Sequence, residues 1–271
     1  MNWFEYTVAH FRLAQLVFWK RLGFALTGTV LPLGLGIALS VRAKQQDPIA
    51  GVPADLYVLT GFLGFSLFFV VYNLVNSVTS RRDALIYKRL RGTALPDSSI
   101  FIGEGASASV VSCGVAVILA VFGVAGLGSG LPFNIPLLAL GILLGATMFA
   151  MLAVGVSGIL PSAEMSVWIT TPVMVFLMMC SGIFIPLSSL PGPLGTVAAY
   201  LPLAPVVSIV RTSYFGRDFA SHSVTALPGA KLDFLGSLHV CLSPIGVTVA
   251  WAAIGLWLAR RCFRWDPKRT G

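Results

Sequence analysis

The amino-acid sequence predicts an all-α integral membrane protein with six transmembrane helices. Hydrophobic residues make up 56% of the chain and charged residues only 10%, and the mean hydropathy is +0.88. The few charges are separated by long uncharged stretches. A helix needs about 20 apolar residues to cross a hydrocarbon layer of about 30 Å, because it rises about 1.5 Å per residue. The whole chain, 1–271, is therefore predicted to be a single transmembrane domain.

The first predicted element is an amphipathic helix over residues 2–19. Phe4, Val8 and Phe11 share one face of this helix, and Glu5 and Arg12 lie on another. This pattern is typical of a helix that lies in the membrane interface. A frayed cytoplasmic tail is the alternative interpretation.

The six spans follow from the uncharged stretches and their breaks. The first stretch lies between Arg21 and Arg42, and the second between Asp55 and Arg81. The uncharged stretch 105–163 is too long for one helix and contains a cluster of glycine and proline near its middle, which indicates two helices and a turn. The predicted spans are 22–41, 56–80, 105–126, 135–160, 165–186 and 238–259.

The region between the fifth and sixth spans has a mixed character. Residues 188–216 contain too many prolines for a full crossing but are too apolar for a free loop. An outer re-entrant helical hairpin before the last span satisfies both properties, provided that protein covers its backbone.

The distribution of Lys and Arg predicts the orientation. With the N-terminus inside, 13 of the 18 basic residues fall in internal segments, and the outer segments hold Arg42, Lys44, Arg211, Arg217 and Lys231. This is the positive-inside pattern. We expect a multi-pass protein of the plasma (inner) membrane with both termini cytoplasmic. The net charge of +8 then reflects topology and contact with membrane lipid, and no nucleic-acid partner is expected.

No catalytic or metal site is expected. The four cysteines are isolated, and the sequence has no Walker A motif. Gly155-Val156-Ser157-Gly158 resembles the nucleophile motif of rhomboid intramembrane proteases, with His239 as a base. However, Ser157 falls near the inner end of the fourth span and His239 at the outer start of the sixth, whereas a serine and its base must come within about 3 Å. An intramembrane serine protease is therefore a remote alternative.

Two groups of residues are candidates for function. The internal loop 80–100 contains a short basic helix with Ile86 and Leu90 one turn apart, which predicts a docking helix, although a solvated charge run has the same composition. Neutral polar and sulfur-containing side chains lie within the spans and suit the pathway of an amphipathic solute, or else pack helices together. These pathway candidates are Asn73, Asn76, Thr170, Thr171 and Met178.

The order of these parts resembles the type-2 permeases of ABC exporters, the membrane subunits related to daunorubicin and multidrug exporters. The most specific piece is Leu177-Met-Met-Cys-Ser-Gly-Ile-Phe-Ile-Pro-Leu-Ser-Ser-Leu-Pro191, which contains Phe184, an aromatic residue that is also a pathway candidate. The resemblance continues in Leu201-Pro-Leu-Ala-Pro-Val-Val-Ser-Ile-Val-Arg211, in Arg81-Arg-Asp and in Leu90-Arg-Gly-Thr-Ala-Leu-Pro96. Ala84 and Ala94 depart from the glycine and proline that are common in that family.

The resemblance implies a half-transporter that exports an amphipathic compound of the drug or antibiotic type. A second permease copy, identical or homologous, would complete the pathway. Two copies of a separate ABC ATPase would bind ATP and Mg²⁺, and this chain would bind no cofactor. The residues implied in coupling to that ATPase are Arg81, Arg82, Asp83, Tyr87, Lys88, Arg89, Arg91 and Glu164. Alternatives are a permease for lipid-linked glycan or lipid, and a membrane subunit without transport.

Overall fold

A computed structural model describes residues 2–92, 96–191, 193–220 and 231–263; the side chains of Phe24 and Arg91 also lie outside the description. Within these ranges the chain forms twelve α-helices and no β-strand. They are α1 (Trp3–Lys20), α2 (Leu22–Ala25), α3 (Leu31–Ala43), α4 (Ala54–Asp83), α5 (Ile86–Arg91), α6 (Asp97–Gly126), α7 (Ile135–Ser157), α8 (Ala163–Cys180), α9 (Leu194–Ala199), α10 (Leu203–Phe215), α11 (Phe234–Val240) and α12 (Leu242–Cys262). A π-helical turn, Leu26–Val30, joins α2 to α3.

Six helical segments are long and apolar enough to cross a membrane. They are Leu26–Ala43, α4, α6, α7, α8 and α12. The prediction of an all-α membrane protein with six transmembrane helices is therefore confirmed.

The helix ends differ from the predicted spans at several places. Helix α6 begins at Asp97, eight residues before the predicted start at 105, because an acidic residue in the first turn and a proline just before it both favour a helix start. Glu104 consequently lies inside the helix. Helix α8 ends at Cys180, and Gly182 turns the chain with a positive φ of 78°. The sixth span begins at Leu242, because Cys241 separates it from the short helix α11.

Helix α4 is the centre of the bundle. Its most apolar window is 94% buried inside the protein, against 17% for α8 and for α12. Helices α3, α6, α7, α8 and α10 all pack against it. A helix surrounded by protein needs no separate polar face, which explains why apolar side chains are distributed around all sides of α4.

Small residues allow the helices around α4 to approach closely. Gly141 and Gly145 of α7 face Ile209 and Val206 of α10, and Gly155 of α7 meets the backbone of Gly255 in α12. The GxxxG spacing of the first pair therefore serves a contact inside this chain.

Helix α10 is buried but short. Its 13 residues span about 20 Å, too little to cross a bilayer. It packs between α4, α7 and α12 and follows the short helix α9. These two helices form the segment predicted to be re-entrant, and its depth in the membrane remains a prediction.

The contact between α7 and α12 gives a stability prediction. In Gly255→Ala the added Cβ would lie 2.6 Å from the Leu152 nitrogen, which is backbone and cannot rotate away. Overpacking of this kind costs about 1–3 kcal/mol, so we expect a lower thermal midpoint in detergent. The control is Gly246→Ala on the same helix, where the Cβ meets nothing within 4 Å. Equal midpoints for the two variants would contradict this packing.

Candidate functional site

A buried carboxylate joins the loop of α5 to the rest of the bundle. Glu104 of α6 is 2% exposed. Its Oε1 accepts hydrogen bonds from Arg81 Nη1 at 2.7 Å and from the Tyr87 hydroxyl at 2.8 Å, and His10 Nε2 lies 3.3 Å away. These partners belong to α4, α5 and α1. We call these four residues the Glu104 cluster.

The cluster is stable only when its parts are assembled. An isolated buried charge is costly, whereas a buried pair with good hydrogen bonds offsets that cost. Arg81 supplies the opposite charge. Burial, and then the negative charge of Glu104, raise the pKa of Tyr87 well above its usual value of 10.0, so the phenol keeps its proton and donates.

Aromatic contacts extend the cluster to the end of the last span. Phe263, the residue after α12, packs edge-on against Phe101 with ring centroids 4.5 Å apart and lies 6.4 Å from the Tyr87 ring. Glu104 and Tyr87 together therefore link α1, near the start of the sequence, to the end of the last span.

A second buried cation fixes the turn between α7 and α8. Arg82 is fully buried and donates to the carbonyls of Ser157 at 2.9 Å and Leu160 at 2.7 Å, which lie at the C-terminal end of α7. A cation at this position satisfies carbonyls that have no helical partner and complements the helix dipole. Asp83 accepts a hydrogen bond of 2.7 Å from the Ala163 amide at the start of α8. The α4–α5 and α7–α8 connections are therefore held together.

The predicted coupling residues fall into two sets. Arg81, Arg82 and Tyr87 are buried and support the loop from inside. The exposed set contains Asp83, Lys88, Arg89 and Glu164. The side chain of Arg91 lies outside the described residues. Only the exposed set can touch another polypeptide without rearrangement of this end of the bundle.

The predicted pathway residues are also split between buried and open positions. Asn76 Oδ1 accepts a bond of 2.7 Å from the Ser166 hydroxyl, which joins α4 to α8, and the Thr170 hydroxyl donates to the Ser166 carbonyl. Asn73 is buried in α4. Thr171 is exposed, and Met178 and Phe184 are half-buried. The polar groups of Asn76 and Thr170 are therefore used in hydrogen bonds within and between α4 and α8. Thr171 and Met178 lie nearer the open face of α8.

The serine motif does not form a catalytic pair. The Ser157 hydroxyl donates to the Val154 carbonyl at 2.7 Å. Ser237, two residues before His239, accepts a bond from Asn134 at the opposite end of α7. The 23 residues of α7 separate these ends by about 34 Å. Among the described residues there is also no group of three or more His, Cys, Asp or Glu side chains that could hold a metal ion.

Sequence reasoning missed two structural roles. His10 and Glu104 were not expected to pair, since 94 residues separate them. Arg211 was counted only as an outer charge, yet it is 4% exposed, donates to the carbonyls of Gly182 and Tyr57, and lies 3.6 Å over the Tyr57 ring. An arginine inside an apolar helix was the available signal, because buried charge requires partners.

Removal of the central charge should destabilise the protein. Glu104→Gln leaves the Arg81 guanidinium buried without its carboxylate, and loss of one partner of a buried pair costs about 3 kcal/mol. A lower thermal midpoint in detergent is expected. Glu164→Gln, at an exposed glutamate, is the matched control. If both variants unfold at the wild-type temperature, the Glu104 cluster does not contribute to stability.

Tyr87 should also make stability depend on alkaline pH. Because its pKa is raised in the folded protein, its contribution is complete below pH 10, the unfolded value, and is lost as the pH rises above it. Above pH 10 the wild type should therefore lose stability more steeply than Tyr87→Phe. Thermal midpoints measured across this range for both proteins test the difference, and parallel curves would refute it.

Comparisons with known proteins agree with this architecture. Residues 7–215 match the family model described as ABC-2 type transporter. The chain is similar to Nodulation protein J of Rhizobium leguminosarum bv. viciae, at 26% identity over 69% of this chain and 72% of the relative. It is also similar to Nodulation protein J of Rhizobium meliloti (strain 1021), at 28% identity over 73% of this chain and 77% of the relative. Since the family model covers more than half of the sequence, the chain belongs to the ABC-2 type transporter family, whose membrane subunits are not catalytic and work with a separate ABC ATPase subunit.

Proposed function

We propose that this chain is the permease of an ATP-driven exporter and that α5 is the surface on which the ATPase docks. The observation that carries this proposal is the position of α5. Its exposed side chains include Lys88 and Arg89, while its Tyr87 is bound to the buried Glu104. The basic outer face of this helix can bind an acidic surface of a docked ATPase. The hydrogen bond of Tyr87 to Glu104 can then transmit a displacement of α5 to the bundle.

The transmitted displacement would reach most of the bundle. A movement of α5 acts on Glu104 through Tyr87, and Glu104 belongs to α6 and also binds Arg81 of α4. Arg82 and Asp83 carry the same movement to the start of α8. ATP and Mg²⁺, bound by two ATPase copies, would supply the energy, and the bundle would respond by shifting between inward-open and outward-open states.

The open face of α8 is the proposed border of the pathway and of a second permease copy, identical or homologous. Trp168 is 72% exposed and Phe176 58% exposed, and Thr171 lies on the same open helix. Helix α8 packs mainly on α4 and leaves most of its surface uncovered by this chain. An apolar face with aromatic groups and an isolated hydroxyl suits an amphipathic cargo.

The proposed cargo is an amphipathic compound of the drug or antibiotic type, and a lipid-linked glycan or lipid is the alternative. The names of the two relatives specify no cargo. With the ATPase reconstituted in vesicles, amphipathic drugs should stimulate ATP hydrolysis. Stimulation by a lipid-linked glycan alone would favour the alternative.

The proposed orientation places the α5 end of the bundle in the cytoplasm and the protein in the plasma (inner) membrane. Arg81, Arg82, Lys88 and Arg89 lie at this end with the basic last turn of α12. The basic residues 264, 268 and 269, which were counted in the same group, lie outside the described residues.

Charge reversal on α5 tests the docking surface. The double variant Lys88→Glu/Arg89→Glu should lose cargo-stimulated ATP hydrolysis by tenfold or more, because like charges at a docked interface cost several kcal/mol. The control variant Arg42→Glu/Lys44→Glu makes the same change in charge at exposed positions on the opposite end of the bundle. It should retain cargo-stimulated ATP hydrolysis. Co-purification with the ATPase should fall in the first variant only.

If the α5 variant inserts in the membrane and retains both co-purification and stimulated hydrolysis, α5 is not the docking surface. If neither the wild-type protein nor either variant co-purifies with an ATPase, the alternative of a membrane subunit without transport is favoured.

The second copy is tested by photo-crosslinking. A benzophenone side chain introduced at Trp168 should give a crosslinked dimer of this chain in membranes. The same group at Leu143 of α7, which is 61% exposed, should crosslink to lipid and leave the chain monomeric on a denaturing gel. Dimers from Leu143 and not from Trp168 would move the interface to the other side of the bundle.

A further inference from the structure

A small cavity with a mixed polar and apolar lining lies beside the Glu104 cluster, where α1 crosses α4 and α6. Its volume is about 40 Å³. Arg21, at the end of α1, stands at one side of it, and Phe18 and Leu74 give it apolar walls. Asn73 and Glu104 are among its polar lining residues.

Three buried polar atoms of these lining residues have no hydrogen-bond partner among the described residues. Tyr87, Arg81 and His10 all lie against Oε1 of Glu104, and the buried Oε2 has no hydrogen-bond partner among the described residues. Asn73 is 5% exposed, and neither its Nδ2 nor its Oδ1 has such a partner. Exchange of Nδ2 and Oδ1 by rotation of the Asn73 amide therefore leaves the same two atoms without a partner. Buried polar atoms of this kind normally bind protein or ordered water.

We infer that this cavity is a binding site for two or three ordered water molecules that link Glu104 to Asn73. A water needs at least ~10–15 Å³ of such space and two to four polar partners. The cavity volume is large enough, and the partners we assign are Glu104 Oε2 and the two amide atoms of Asn73. Each water can donate to Glu104 Oε2 or Asn73 Oδ1 and accept from Asn73 Nδ2.

Size and charge exclude other occupants. A cation would find no net negative charge, because Arg81 already neutralises Glu104 and Arg21 stands at one side of the cavity. A phospholipid headgroup is several times larger than the available space. Water alone combines donors, acceptors and a small volume.

The water site would extend the Glu104 cluster along α4. Asn73 lies eight residues before Arg81 on that helix and also contacts the first span, where a Cβ on Gly28 would lie 2.5 Å from Asn73 Nδ2. Gly28 belongs to the π-helical turn, a kind of irregularity that often marks functional sites. The waters would thus join α6, α4 and, through Asn73, the first span. This inference does not rest on the transport role.

Radiolytic hydroxyl labelling of the full-length chain in detergent tests the site, because radicals generated from bound water modify adjacent side chains. Leu74 is 2% exposed and lines the cavity, whereas Leu67 on the same helix is fully buried and does not. We expect Leu74 to be labelled at least threefold faster than Leu67. Asn73→Leu, which fills the cavity with an apolar group, should bring the two rates together.

A matched variant separates this effect from general loosening. Gly114→Ala adds a methyl group in open space on α6 and should leave the Leu74 rate unchanged. If Asn73→Leu does not fold, Phe18→Trp fills the cavity from its apolar wall and replaces it in the test. Equal labelling of Leu74 and Leu67 in the wild type overturns the inference, and so does fast Leu74 labelling that persists in the folded, filled variant.

Discussion

The burial of the Glu104 carboxylate is the constraint on which this end of the molecule depends. A charge with 2% exposure is tolerated only where donors from other segments surround it. Here the donors come from α4 and α5, and a histidine comes from α1. No single helix can satisfy the carboxylate, so satisfying it requires that these segments reach their final relative positions. The interaction therefore specifies an arrangement of helices that apolar packing alone leaves open, since lipid is as apolar as the helix surfaces.

Buried arginines repeat this principle at both ends of α4. Arg82 holds carbonyls at the end of α7, and Arg211 holds carbonyls of Gly182 and Ile183 after α8. In both places the guanidinium satisfies backbone groups that have left a helix and would otherwise be unpaired in a dry environment. The central helix is thus clamped near each end, while α8, between the two clamps, presents most of its surface outward. A helix fixed at its ends and free along its face is well placed to line a pathway.

The sequence predicts the spans better than the site for a physical reason. Hydropathy is a local property, so six apolar stretches identify six helices, and Gly and Pro identify the breaks between them. Helix ends depend on caps: Asp97 starts α6 outside the apolar stretch, and Gly182 ends α8 inside it. The partners of Glu104 cannot be predicted from spacing, because His10 is 94 residues away and belongs to a different helix. For the same reason the sequence does not reveal that Arg82 and Tyr87 face inward while Lys88 and Arg89 face outward.

The length of α4 and α6 explains how a chain so apolar accommodates a buried charge cluster. Each helix has 30 residues and is about 45 Å long, whereas the hydrocarbon layer is about 30 Å thick. The charged residues of the cluster occupy the last turn of α4 and the first eight residues of α6, so the extra length can project them beyond the hydrocarbon. There α1 packs against α6 and, with α4 and α5, buries the Glu104 carboxylate within the protein. A shorter α6, beginning at residue 105, would leave Glu104 without the helix that holds it against Arg81. The eight additional residues, about two turns, are therefore a structural requirement of the cluster, which connects the basic surface of α5 to the spans.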